Sequence, residues 1–229
     1  MTHRVLLLAA LLAGTLAWNA GARAAQPAAS ANTTATPSKW KAGTNYKLVS
    51  NPQPTSVASG KVEVSEVFWY GCGHCYALDP ELETWKKTKA PYVEFVRVPV
   101  IWGNVHRQHA KLYYTLLALR RPELHSKVFD AIHKEGLALT GRGDQEARAI
   151  HFAFLNRDGI TEKEFDAAYD SMTVAANIQR AENLTQQLQV STVPVMFVNG
   201  KFSTSVTEAG GTTQMLALVN DLAASEKNR

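Results

Sequence analysis

The 229-residue sequence predicts an α/β protein in which one sheet is interrupted by a long block of helices, and three observations carry that reading. Residues 61–70 (KVEVSEVFWY) and 92–100 (YVEFVRVPV) are β-branched and aromatic runs, separated by helical spacing at Leu78, Leu82 and Trp85. Between residues 105 and 190 the apolar spacing is helical almost throughout. The chain then returns to strand at 193–198, turns at Asn199-Gly200 and runs back over 201–206.

Each element has its own signal. The first strand ends at Gly71 and Cys72, where period-two alternation gives way to the helical stripe of Leu78, Leu82 and Trp85. Within the helical block, Tyr113, Leu116 and Leu117 mark one helix, Leu124, Val128 and Ile132 a second, and Ala147, Ile150 and Phe154 a third. A Thr161…Glu164 capping box opens the fourth. Val174, Ile178, Ala181, Leu184 and Leu188 form the fifth stripe. Asn-Gly supplies the two positive-φ residues that a type I′ hairpin requires, and Met215, Leu218, Val219 and Leu222 close the chain with a helix. The stripes read as core faces, and no internal repeat is present.

Composition bounds the function. At 45% hydrophobic and 19% charged residues the chain can bury a core, which excludes a globally disordered protein. The pI of 9.0 suggests a basic protein. However, removing Arg4 and Arg23 with a leader leaves 22 basic against 20 acidic residues, and no Lys/Arg run is clustered. Nucleic acid is therefore not expected as a partner. His3 and Arg4 form a basic start, residues 5–18 are apolar, and Ala22-Arg23-Ala24 precedes a cut ahead of Ala25, the layout of a secretory signal peptide over 1–24. A bilayer span needs roughly 18 apolar residues, and this run has 14. Cleavage near Ala24 would deliver a soluble chain of roughly 205 residues to an oxidising compartment. Residues 25–42, rich in Ala, Ser, Thr and Pro, read as a flexible N-terminal segment.

The two cysteines of the whole chain sit at that strand-to-helix junction as Cys72-Gly73-His74-Cys75. A structural staple of four residues contributes under about 2 kcal/mol in the loop-entropy account, against about 3 for a 15-residue loop. Zinc would need two further ligands. His106 and His109 lie at no ordinary finger spacing from Cys75, so neither a metal nor another cofactor is expected. Redox chemistry needs these residue types at this spacing. Unpaired N–H groups and the positive dipole end of a helix stabilise a thiolate on Cys72, His74 adds positive charge, and Cys75 lies close enough to close the disulfide. A thiol lowered from about 8.5 to roughly 5 in this way becomes an oxidant by about 60 mV at pH 7.

Two further features surround the motif. Alternation places Val62, Val64, Glu66 and Phe68 on one strand face, which makes Glu66 either a buried carboxylate near Cys75, fit to accept a thiol proton, or a charge turned to solvent by strand twist. Val193-Pro194 opens a strand, where proline is allowed in trans but where a cis bond is also open to it.

FWYGCGHCY, Glu66 six residues ahead of Cys72, Thr192-Val193-Pro194 before MFVNGKF, and about ninety mostly helical residues between the strand groups together resemble the DsbA family of periplasmic thiol:disulfide oxidoreductases. The resemblance implies a thioredoxin-like fold with an inserted all-helical domain: 43–103 and 190–229 as the two parts of the thioredoxin-like domain, and 104–189 as the insertion. It implies Cys72 as nucleophile, Cys75 as buried resolving cysteine, a cis bond at Val193-Pro194 in a loop with Thr192, and recharging by a DsbB-type membrane partner. Newly exported polypeptides are the implied substrates, the periplasm the compartment, and a monomer is expected. Asp79 falls where the family often has a second acidic residue, and Pro80 resembles the thioredoxin kink proline. Gly73 departs from the family's usual Pro-His between the cysteines and resembles disulfide isomerases, implying a weaker oxidant. An isomerase or reductase using the same site, and a peptide-binding chaperone with an incidental CxxC, are the competing readings. The short polar stretch before Lys61 leaves no room for the dimerisation domain of DsbC-type isomerases.

Overall fold

The structure, a computed structural model, describes residues 39–227; the signal peptide expected over 1–24 lies outside them. Its first strand, β1 (Lys47–Leu48), is too short to show alternation and is absent from the sequence reading. Then come β2 (Val62–Phe68), α1 (Gly73–Thr88) and β3 (Val93–Pro99). Five helices follow: α2 (Asn104–Ala118), α3 (Leu124–His133), α4 (Asp144–Asn156), α5 (Glu162–Tyr169) and α6 (Met172–Gln187). The chain ends with β4 (Val195–Val198), β5 (Phe202–Thr204), α7 (Val206–Ala209) and α8 (Thr212–Lys227).

The sheet runs β1-β5-β4-β2-β3. β2 and β3 are parallel because α1 carries the chain across between them, whereas β4 joins β2 and β5 antiparallel through its own tight hairpin. That hairpin turns at Asn199 (φ 52°) and Gly200 (φ 65°), the paired left-handed residues of a type I′ turn. β2 is buried at all seven positions, so the strand that ends four residues before Cys72 is held from both faces.

Two cores explain the layers. Val62, Val64, Met196 and Val198 pack against Leu78, Leu82 and Trp85 of α1 and Met215, Leu218 and Leu222 of α8. The opposite face meets the helical block through Val67, Phe197, Leu112, Leu116, Phe129, Phe154 and Phe165. Burying each such side chain contributes about 1.5–3 kcal/mol. Phe68 leaves the face expected for it and joins the helical core, because α3 lies beside α1 at that end and brings Phe129 to its ring. The described residues form one compact unit, and the helical block shares its core with the sheet. The capping box at Thr161 and Glu164 is present in full. Leu117, expected in a buried stripe, is 40% exposed, since Leu112, Tyr113 and Leu116 make the inward face of α2. The flexible segment expected to reach residue 42 gives way earlier: Trp40 is buried and its indole N–H donates to Asp221 at 2.8 Å. No helix among the described residues is long and apolar enough to cross a membrane.

Candidate active site

Cys72 is the N-cap of α1, with extended backbone (φ −89°, ψ 115°) and a sulfur that accepts the Cys75 N–H at 3.3 Å. An N-cap oxygen normally takes that bond, and here a thiol does. The first turn of α1 carries no acidic residue, which leaves the positive end of the helix to the sulfur. Cys72 is half-buried, Cys75 is fully buried, and both are free thiols. The hydrogen bond from the Cys75 thiol, the N–H groups of Cys75 and His74, and the His74 charge bring the Cys72 thiol down to about 6 against the opposing pull of burial. Burial, followed by the Cys72 contact and the Glu66 charge, pushes Cys75 far up. One helix turn thus makes one sulfur a thiolate at neutral pH and keeps the other protonated. The resulting value lies about one unit above the one the sequence suggests, because partial burial opposes the lowering.

The segment between β2 and Cys72 is fixed by its aromatic residues. Gly71 passes beneath Trp69, where an added Cβ would lie 2.4 Å from the ring, so no larger residue fits without moving the indole. The Trp69 indole donates to His109 Nδ1 at 3.0 Å, and His109 Nε2 lies 2.9 Å from the Ala138 carbonyl. His106 lies against the Trp69 ring. The two histidines weighed as metal ligands therefore work as braces for the active-site loop. Tyr76 stacks on His133 at 4.7 Å and donates to Asp130, tying α1 to α3.

Glu66 is 2% exposed, and its β2 position faces Arg97 of β3 in register. The guanidinium donates to Glu66 at 2.9 Å, to Asp79 at 2.6 Å and to Glu83 at 2.9 Å. One cation divided among three carboxylates does not offset the burial of Glu66, whose pKa rises to about 7. Burial also raises Asp79, but His125, Arg97 and Ser126 outweigh it and hold the group below its usual range. Arg97 escaped the sequence reading. Its signal was there: in YVEFVRVPV the arginine lies between valines in the most apolar half of the strand, and such a cation, once buried, must find an anion.

Opposite the cysteines, the Val193–Pro194 peptide is cis, and the Cys72 thiol points at the Val193 carbonyl, 3.5 Å away. Thr192 is exposed beside it. His74 and Gly73 are exposed, and Gly73 has no atom within 4 Å of an added Cβ.

Residues 94–223 match the family model of the DSBA-like thioredoxin domain. A thiol:disulfide interchange protein DsbA of Azotobacter vinelandii is 36% identical over 227 residues, covering 98% of this chain and 99% of that protein. The chain belongs to the DsbA family. The crystal structure of Pseudomonas aeruginosa DsbA superposes with a TM-score of 0.75 at 34% identity, over 83% of this chain and 96% of that one. An oxidoreductase DsbA from Xylella fastidiosa, at 24% identity and a TM-score of 0.72 over 81% of this chain and 96% of that one, shares the fold. This DsbA-family chain is a thiol:disulfide oxidoreductase with a thioredoxin-like fold, the sheet and its flanking α1 and α8 carrying the cysteines.

Proposed function

We propose that the chain oxidises cysteine pairs in exported polypeptides by donating a Cys72–Cys75 disulfide. A substrate thiolate attacks Cys72 Sγ and expels the Cys75 sulfur, which takes up a proton with Glu66 as the adjacent exchanger. The second substrate thiolate then attacks the substrate sulfur of the mixed disulfide, and Cys72 leaves as a thiolate. Two electrons move from substrate to enzyme. A leaving group near pKa 6 makes that last step favourable, because a low-pKa thiol departs faster. The Val193 carbonyl and the exposed Thr192 would pair with the backbone of the bound substrate.

The observation that carries this reading is the asymmetry of the two sulfurs, one half-buried with a depressed pKa and the other fully buried with a raised one. A DsbB-type membrane oxidase is proposed to restore the disulfide, in a periplasmic monomer released by cleavage near Ala24. The names of the relatives support the interchange chemistry, and the oxidising leader context of the sequence supports its direction. The test pairs labelling with activity. Alkylation of the reduced protein should modify Cys72 with a midpoint near pH 6 and spare Cys75, and Cys72→Ala should lose all oxidation of a reduced unfolded protein. A Cys72→Ala variant that retains activity would turn the assignment to a peptide-binding module.

A further inference from the structure

A cleft of about 450 Å³ opens beside the active-site loop. One wall is the 187–192 segment that leads to Val193; the other is 47–51, with Ser203 of β5 between them. The cleft reaches Thr192, one residue from the carbonyl that faces Cys72 Sγ at 3.5 Å. Its lining is neutral apart from the Lys47–Glu208 ion pair, which carries no net charge.

The backbone groups of Ser191 and Thr192 have no hydrogen-bond partner among the described residues, and both residues are exposed. The hydroxyls of Ser50, Ser191, Thr192 and Ser203 make no hydrogen bond among the described residues either, while neighbouring Ser205 is occupied by Glu208. An unpaired backbone edge beside a trough of free hydroxyls suits an extended, uncharged polypeptide, whose amides can use both.

Direction follows from pairing. A substrate chain that pairs antiparallel with Val193 runs back along Thr192 and Ser191 with the residues on the C-terminal side of its own cysteine. The geometry points to this cleft as a subsite for the uncharged stretch that follows the reacting cysteine of the substrate, an inference that rests on the proposed function. It adds a grip on one side of the scissile exchange and a preference for sequence on that side.

Two single-cysteine peptides test it, one with four uncharged residues after the cysteine and one with the same four ahead of it. Each reacts with the oxidised protein, the peptide thiolate forming the mixed disulfide with Cys72 and expelling the Cys75 sulfur. Stopped-flow rates should favour the first peptide by about tenfold, the equivalent of roughly 1.4 kcal/mol. Ser203→Trp and, separately, Asn51→Trp should cut that preference below about threefold by filling the cleft, with glutathione reacting at the wild-type rate as the control for an intact fold. Equal rates for the two peptides, or full preference in both variants, would overturn the subsite. Failure of glutathione to react at Cys72 in the wild type would instead overturn the proposed function, and the subsite with it.

Discussion

Glu66 and Arg97 face each other across the parallel pair of β2 and β3, with Arg97 Nε donating to Glu66 Oε2 at 2.9 Å. Even so, Glu66 is held near pKa 7, because its burial outweighs a cation that also serves Asp79 and Glu83. A carboxyl poised at neutral pH next to a buried thiol can take or give a proton where a surface glutamate cannot.

Glu66→Gln should slow disulfide exchange by about one to two orders of magnitude without abolishing it. The wild-type rate should show an inflection near pH 7 that the variant lacks. Stability follows from the same shift. A folded pKa raised from 4.5 to about 7 gives a contribution present below 4.5 and lost as pH rises through 7. The variant should therefore gain on the wild type between about pH 5 and about pH 8 in urea titrations, and parallel curves over that range would contradict the assignment.

Arg97→Met should cost about 3–5 kcal/mol at pH 7, since it leaves two buried carboxylates without their cation. At about pH 5, where Glu66 already holds its proton, the loss should be smaller. Urea midpoints at the two pH values check this, and an equal loss at both would remove Glu66 from the explanation.

Gly73 is the first residue of α1, its added Cβ would meet nothing, and Cys72 before it is already in the extended conformation that a following proline demands. The Gly73 N–H takes no part in lowering the Cys72 thiol, which is served by the N–H groups of His74 and Cys75. Gly73→Pro should thus fold and gain about 0.4–1 kcal/mol through a stiffer unfolded chain. The Cys72 titration should stay near pH 6, and a shift of more than a unit would show that position 73 acts on the sulfur directly.

These relationships divide by how far the sequence reaches. Local spacing made the two long strands, the helical stripes, the Thr161 capping box and the Asn199-Gly200 turn legible, because each depends on residues within a few positions. The cysteine pair and its helix N-terminus were legible for the same reason. Alternation put Glu66 among apolar neighbours but could not say what faced it, since strand pairing sets its register with Arg97. The same gap hid Gly71 under Trp69, His109 behind that indole, and the Trp40 anchor on α8, all contacts that depend on the folded path of the chain. β1 was invisible because two residues carry no period; its partner β5 makes it a strand.

The proposed oxidation rests on Cys72 being a thiolate and Cys75 a protonated thiol in the reduced protein. A folded pKa depressed to about 6 contributes stability to the reduced form above that pH and loses it as pH falls through 6. At pH 7 the contribution is at most about 1.4 kcal/mol, less after solvent screening of the half-buried sulfur, or up to about 30 mV above a thioredoxin-like −270 mV. That is half the sequence-based expectation. The most direct measurement is the redox equilibrium with glutathione from about pH 5 to about pH 8.5. The potential should be more positive than about −270 mV at pH 7, falling by about 60 mV per pH unit below about pH 6, where reduction takes up two protons, and by about 30 mV above it, where it takes up one. A potential at or below about −270 mV, with the steeper slope continuing to about pH 8, would contradict it.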